Sequence, residues 1–243
     1  MPVPSTTIQN HGPRPPSPET KDTVAPQITD NVPLRPKRRF VLSIPYDARK
    51  TALVLIGFQN DYFADDGILT DALEDAPWRR AMLKNTERLL DALVASPMLI
   101  VSTPIVFTPD YRELSDPTGI LEVIKDVGAF KEGQAGAETV PEVTRYGDRI
   151  QEVPGKRGLN AFSNTQLDEL FREHAINDVV LAGVVTSICI DSTGRAAHER
   201  GYRVSVLRDC TAGRTAFEQD FYCEKIFPLY AHLIESGDLV AAA

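Results

Sequence analysis

The chain has 243 residues, of which 42% are hydrophobic and 25% are charged, as in ordinary globular proteins. Its formal net charge of −8 argues against nucleic acid as a partner, because phosphate binding needs a concentrated basic surface. The three cysteines lack CxxC spacing, which favours a reducing compartment over a disulfide framework. We therefore expect a cytoplasmic protein that binds a small molecule and contacts neither nucleic acid nor a membrane.

The first 39 residues differ in composition from the rest of the chain. They hold nine of the 18 prolines, with few large apolar residues and no periodicity. Such a segment cannot bury enough apolar surface to offset the entropy that it would lose on ordering. The sequence thus predicts a disordered, proline-rich tail over residues 1–39 and one folded domain over residues 40–243.

The first half of this domain alternates strand and helix patterns. A continuous apolar run predicts a buried strand at residues 51–56, and apolar residues at helical spacing predict a helix at 78–95. A second apolar run predicts a strand at 98–107, and a short helix is expected at 118–127. The first strand leads into FQNDYFADDGIL, an irregular loop rich in Asp, Asn and aromatic residues.

The second half of the domain continues the alternation. Strands are predicted at residues 150–153, 179–185 and 202–207, and helices at 164–174, 188–200 and 217–234. Because strands alternate with helices, we predict an α/β fold with three α/β/α layers, in which helices cover both faces of a mostly parallel, doubly wound, Rossmann-like sheet.

Cys189 stands where a nucleophile is expected. It follows the apolar run at 179–185 and lies in the first turn of the next predicted helix, after Thr186 and Ser187. Ligands bind at the carboxyl ends of strands in open α/β sheets, and the unpaired N–H groups of a helix start favour a thiolate. The alternative is a buried, inert cysteine, which is the common state of free thiols.

Three blocks of the sequence carry a family resemblance. In chain order they are FQNDYF, KRGLNAFSNTQLDELF and AGVVTSICIDSTGRAAHERGYRVSVLRDCTAG. Together they resemble the isochorismatase-like superfamily of cysteine hydrolases over about residues 45–214. The resemblance implies an α/β/α fold, a homodimer or homotetramer, and an Asp-Lys-Cys triad that opens amides or related C–N bonds through an acyl-enzyme.

Carried over residue by residue, the resemblance places the catalytic cysteine at Cys189 and the lysine at Lys156. It also implies a cis peptide bond between Val184 and Val185, and an oxyanion hole made by the N–H groups of Val185 and Cys189. Lys156 is expected either to hold the thiolate as a cation or to accept its proton, unless it is an ordinary surface lysine.

The third member of the triad is missing from its place. The family's aspartate ends the first strand, and this chain has Gly57 there. Asp61, further along the loop, is the nearest substitute base, with capping of its own loop as the alternative. The Asp/His cluster that binds metal in nicotinamidase-type members has no counterpart in TPIVFTPDYRELSDP. We therefore expect neither a metal nor another cofactor.

Aromatic residues near these blocks have two interpretations, a substrate pocket or ordinary core packing. They are Phe58, Tyr62, Phe63, Phe107 and Phe162. Two functions accordingly stay open at the level of sequence. The first is a metal-independent cysteine hydrolase that cleaves a C–N bond of a small amide through a Cys189 acyl-enzyme. The second is a catalytically weak or inactive relative that binds a small ligand or a protein partner.

Overall fold

A six-stranded parallel sheet forms the centre of the computed structural model, which describes residues 46–74 and 76–242. Its strand order is β3-β2-β1-β4-β5-β6. The strands are β1 (Thr51–Ile56), β2 (Leu99–Thr103), β3 (Gln151–Glu152), β4 (Asp178–Val184), β5 (Arg203–Ala212) and β6 (His232–Ile234). The predicted tail at residues 1–39 lies outside the described residues.

Eight α-helices occur in the part of the chain that the structure describes. They are α1 (Asn60–Phe63), α2 (Ala76–Leu93), α3 (Ile120–Val127), α4 (Pro141–Thr144), α5 (Leu167–Glu173), α6 (Asp191–Glu199), α7 (Ala216–Phe221) and α8 (Ser236–Ala242). None of the helices in residues 46–74 and 76–242 has the length and apolar composition needed to cross a bilayer.

Two hydrophobic cores lie on opposite faces of the sheet. Along β1, Leu53 and Leu55 face one core while Val54 and Ile56 face the other, and all four are fully buried. Helices α2 and α8 contribute to the first core, and α5 and α6 contribute to the second. A strand buried on both faces needs apolar residues at every position. This explains the continuous run TALVLI and confirms the predicted three-layer α/β/α architecture.

The end of the chain differs from the prediction of one helix at residues 217–234. Helix α7 passes into a π-helix at Tyr222–Ile226 and a 3-10 helix at Phe227–Leu229, and β6 follows. Pro228 lacks the N–H that a continuing helix needs, and β6 pairs with β5 as a parallel edge strand. The single long helix was therefore wrong, and a sixth strand takes its last residues.

Candidate active site

Cys189 lies in a wide helical turn at the carboxyl edge of the sheet. The central strand β4 ends at Val184, the peptide bond between Val184 and Val185 is cis, and a π-helix spans Thr186–Ile190 before α6 begins. Isolated π-helical turns are rare and frequently occur at functional sites. The Cys189 side chain is half-buried, so the position suits a thiol that must meet a small ligand.

Lys156 meets this thiol from the loop after β3. Its main chain bridges to Ile105, next to the end of β2, its side chain is 1% exposed, and Nζ donates a hydrogen bond to Cys189 Sγ at 3.5 Å. Within the described residues the ammonium makes no ion pair with a carboxylate. A buried charge is strongly unfavourable without a partner, and the Cys189 sulfur is the side-chain partner that this hydrogen bond gives to Lys156.

Helix α7 fixes the start of the π-helix. Thr186 Oγ1 donates to Gln219 Oε1 at 2.6 Å, and Ser187 Oγ donates to Glu218 Oε1 at 2.6 Å. Both acceptor side chains are buried. Sequence reasoning missed Glu218 and Gln219 as residues that hold the segment carrying Cys189. The available signal was the capping-box spacing of Thr215 and Glu218, since Thr215 caps α7 through the Glu218 N–H.

Asp61 contacts a different part of the molecule. It lies in α1, is buried, and its Oδ2 accepts a hydrogen bond from the Phe130 N–H at 2.6 Å. Within residues 46–74 and 76–242 it makes neither a hydrogen bond nor an ion pair with Lys156 or Cys189. Asp61 thus anchors the loop at Phe130 instead of capping its own loop, and its role as a base stays a prediction.

Gly57 directly follows β1 in a conformation that favours glycine. Its φ is +71°, and a Cβ built there would lie 2.7 Å from the carbonyl oxygen of Val184 and 3.0 Å from Val184 Cγ2. A side chain at this position therefore requires both an unfavourable backbone conformation and a shift of main chain at the end of β4.

We expect Gly57→Asp to destabilise the protein by about 1–3 kcal/mol, the usual range for a non-glycine residue held in a sparsely populated conformation, and to leave hydrolysis unimproved. Urea unfolding at pH 7 measures the first effect. Gly133→Asp is the matched control: Gly133 also has a positive φ but no atom within 4 Å of the added Cβ, so it should show the backbone cost without the steric contact. A variant as stable as the original protein with faster hydrolysis would contradict this expectation.

The five candidate pocket aromatics lie in both cores. Phe58, Tyr62 and Phe107 are buried in the first core, and Phe162 is buried in the second beside Phe171. Phe63 is half-buried and stacks on Phe58 with centroids 5.7 Å apart. This placement fits the core-packing alternative, and a role in substrate binding stays a prediction.

Tyr62 also lies near Cys189. Burial raises the pKa of its phenol, and the charges of Cys189 and Asp61 raise that pKa further. The phenol of Tyr62 therefore stays protonated at neutral pH.

A polar cluster anchors the loop that carries Lys156. Arg157, the next residue, donates from Nε to Glu113 Oε1 at 3.2 Å, and Thr108 Oγ1 donates to Glu113 Oε2 at 2.6 Å. Desolvation alone would raise the pKa of Glu113, but the hydrogen bonds from Thr108 and Arg157 outweigh it and lower the pKa from 4.5 to about 2. Glu113 is therefore ionised when the loop is in place.

This lowered pKa predicts an acid dependence of stability. The contribution of Glu113 is fully present above pH 4.5 and is lost as the pH falls toward about 2, because the folded carboxylate must then take up a proton. We expect the unfolding free energy to fall less steeply across this window in Glu113→Gln, measured by urea unfolding at several pH values. Glu173→Gln, an exposed change on α5, is the control. If the unfolding free energy of Glu113→Gln and that of the original protein fell in parallel with pH, the polar cluster around Glu113 would not contribute to stability.

Possible metal ligands are scattered. In residues 46–74 and 76–242, no three His, Cys, Asp or Glu side chains are grouped so that they could hold a metal ion. Polar side chains that do converge at the carboxyl edge include the Cys189 and Lys156 pair, the Thr186 and Gln219 pair and the Ser187 and Glu218 pair.

Solved structures share this architecture. The cysteine hydrolase from Pseudomonas syringae pv. phaseolicola 1448A superposes with a TM-score of 0.68 at 17% identity, covering 82% of this chain and 94% of that chain. N-carbamoylsarcosine amidase from Thermoplasma acidophilum superposes with a TM-score of 0.62 at 23% identity, covering 77% of this chain and 96% of that chain. At these identities the likeness establishes the fold.

Sequence comparisons establish the family. Ureidoacrylate amidohydrolase RutB of Methylorubrum extorquens is 28% identical over 202 residues, covering 77% of this chain and 79% of that protein. Residues 51–238 match the Isochorismatase domain, which is well over half of the chain and contains every residue of the site described above. The chain therefore belongs to the isochorismatase-like hydrolase family, whose members similar to it include amidohydrolases.

Proposed function

We propose that this protein is a cysteine hydrolase that cleaves the C–N bond of a small amide or related acyl compound. The observation that carries the proposal is the 3.5 Å contact between the buried Lys156 ammonium and the Cys189 sulfur at the carboxyl edge of the sheet. The amidohydrolase and amidase names of its relatives support C–N bonds as the target.

The pair activates the nucleophile without a carboxylate. Transfer of the thiol proton to the neutral amine of Lys156 gives a thiolate beside an ammonium, so that the buried pair stays neutral overall. A thiolate is the reactive form of cysteine. Because Gly57 offers no side chain, Lys156 is the group at hydrogen-bond distance that can take this proton.

Lys156 then carries a proton in both acylation and deacylation. The Cys189 sulfur attacks the carbonyl carbon and forms a C–S bond, and the C–N bond breaks as Lys156 gives its proton to the leaving nitrogen. Water next attacks the thioester and passes a proton to Lys156, and the C–S bond breaks to release the acid. The thiolate and the ammonium are thereby restored.

Backbone N–H groups of Val185 and Cys189 would stabilise the oxyanion of each tetrahedral intermediate. Such donors work only when they are held in place before the reaction, and losing one typically slows a reaction by about 100- to 1,000-fold. Hydrogen bonds from Thr186 and Ser187 to α7 support this role, since they fix the backbone between Val185 and Cys189.

Trapping the acyl-enzyme tests the proposal. We expect brief incubation with a panel of small amides, followed by acid quench and peptide mass spectrometry, to add the mass of one acyl group to the Cys189 peptide. Cys210 and Cys223 are buried and serve as internal controls in the same digest. A panel that leaves Cys189 unmodified and all amides intact would instead favour the alternative, a relative that binds a ligand or a partner without turnover.

A further inference from the structure

Gln59 is a buried polar residue at the carboxyl edge of the sheet. The chain turns out of β1 at Gly57, whose carbonyl oxygen accepts the Gln59 N–H at 2.9 Å. The Gln59 residue that follows this turn is fully buried. A buried amide without hydrogen bonds would be strongly unfavourable, so the partners of this side chain show which part of the molecule it holds.

Within the described residues, the three hydrogen bonds of the Gln59 side chain all go to main-chain groups. Oε1 accepts the Ile105 N–H at 2.9 Å, and Nε2 donates to the carbonyl oxygens of Ile105 and Ala137, both at 2.8 Å. Both hydrogens of the amide nitrogen are therefore used. Turning the amide over would set its donors against an N–H and its oxygen against two carbonyls, so its orientation is fixed.

Ile105 lies just beyond the ladder that joins β1 and β2. The last pair of that ladder is Ile56 with Thr103, and the chain then turns away from β2 at Gly57, where φ is +71°. The Gln59 amide bonds both the N–H and the C=O of Ile105, as a peptide group of a neighbouring strand would. It therefore replaces the strand neighbour that β1 no longer provides.

The segment that contains Ile105 also pairs with Lys156. Ile105 and Lys156 form a parallel β-bridge, beyond the short ladder in which β2 pairs with β3. In the sheet, β2 lies between β1 and β3, so Ile105 lies between Gln59 and Lys156. One side of this segment is thus held by the buried amide, and the other side holds the lysine.

Lys156 depends on this support because its side chain must reach across the sheet. β3 and β4 are three strand spacings apart in the sheet order, or about 14 Å, yet the Lys156 Nζ lies 3.5 Å from the Cys189 Sγ. A misplacement of about 1 Å in a catalytic site can cost about 100-fold in rate. The position of the main chain at Lys156 therefore decides whether the two groups meet.

We propose that Gln59 is a positioning residue that holds Lys156 against Cys189 through the main chain of Ile105. The inference rests on the proposed hydrolase function and adds a residue from outside the reacting pair. The hydrogen bonds of Gln59 hold Ile105, the β-bridge holds Lys156, and the ammonium then meets the sulfur. Loss of the amide removes the partners of the Ile105 N–H and C=O and allows the lysine to move away from the sulfur.

Gln59→Met tests this proposal, because methionine has nearly the same length and lacks the amide. The readout is the rate of Cys189 alkylation by iodoacetamide at pH 7 divided by the rate at pH 9, where ordinary thiols are largely ionised. We expect this ratio to fall about tenfold in the variant, as for the loss of a charge-assisted hydrogen bond. Changes in access to the sulfur affect both rates alike and cancel in the ratio.

Asn85→Leu is the control for a merely structural effect. Asn85 lies on α2, and its Nδ2 donates to the Asp209 carbonyl oxygen at 3.0 Å, so this change also removes an amide from a main-chain acceptor. It should lower the unfolding temperature and leave the ratio unchanged. Thermal unfolding also shows whether Gln59→Met folds. Gln59→Asn, which keeps a shorter amide, tests the proposal if it does not, and should give a smaller fall in the ratio.

Hydrogen exchange provides a readout that does not depend on the thiol. Peptides that contain Lys156 should exchange faster in Gln59→Met and at the original rate in Asn85→Leu. If Cys189 of the original protein has the same ratio as N-acetylcysteine, the hydrolase proposal loses its support, and exchange alone decides whether Gln59 holds Lys156. If the original ratio is well above that of N-acetylcysteine, an unchanged ratio in a folded Gln59 variant would overturn the inference.

Discussion

Serine in place of Cys189 is expected to lower kcat/KM for amide hydrolysis by at least about 10³-fold, because a hydroxyl is a far weaker nucleophile than a thiolate. The nucleophile and its proton-transfer partner act as a unit, so loss of the thiol removes most of the effect of both. The measurement is the rate of amine release from an amide that acylates the original protein. The matched control is Cys223→Ser, the same exchange of sulfur for oxygen at a buried position. It should retain most of the activity.

The other cysteines make this test selective. Burial raises the pKa of Cys210 well above its ordinary value and that of Cys223 to about 12, so both remain thiols at neutral pH. Alkylation of the folded protein at pH 7 should therefore modify Cys189 first. Activity that survives in Cys189→Ser, or faster alkylation of Cys223 than of Cys189, would show that the nucleophile has been misassigned.

The strands were the most predictable part of the fold, for a physical reason. Each central strand is covered by helices on both faces, so β1 and β4 need unbroken apolar runs, and such runs are visible in the sequence. β6 has only three residues and lies at the edge of the sheet. The pattern of apolar residues in β6 does not differ from that of the helix before it. Only the pairing with β5 identifies these residues as a strand.

The sequence predicted which residue types form the candidate site, but not the residues that hold them in place. Cys189 and Lys156 are 33 residues apart, and only the family resemblance brought them together before the structure did. Glu218 and Gln219 act across the fold, through bonds that exist only after α7 packs against the π-helix. The π-helix itself has no pattern that distinguishes it from an α-helix. The π-helix and the hydrogen bonds of Glu218 and Gln219 therefore depend on tertiary contacts, which the local sequence does not show.

Gly57 illustrates how the structure changes an interpretation. From the sequence, the missing aspartate looks like a single absent side chain that one substitution restores. The positive φ and the nearby Val184 carbonyl oxygen indicate instead that this strand end is built for glycine. The proposed mechanism therefore needs the Cys189 and Lys156 pair to act without a carboxylate at position 57, so replacing the lysine should slow turnover strongly.

Lys156→Met is expected to reduce the rate of amide hydrolysis by about 100-fold or more, which is the usual contribution of a general acid–base group. It should also slow alkylation of Cys189 at pH 7, because the thiolate loses its counter-ion. Lys156→Arg should restore part of the alkylation rate but less of the hydrolysis, since a guanidinium keeps its charge and does not release a proton. Stopped-time hydrolysis assays and peptide mass spectrometry measure the two rates.

The control for Lys156 is Lys131→Met, which removes a half-buried ammonium that lies over the Tyr111 ring, 5.3 Å from its centroid. This change should leave both rates near those of the original protein. In Lys156→Met the Cys189 sulfur can take up a proton, so that no unpaired charge stays buried and the desolvation cost of the ammonium is removed. The variant should therefore unfold no earlier in urea than the original protein. A stable Lys156→Met variant with unchanged hydrolysis would mean that another group takes the thiol proton, and Asp61 would then be the first to test.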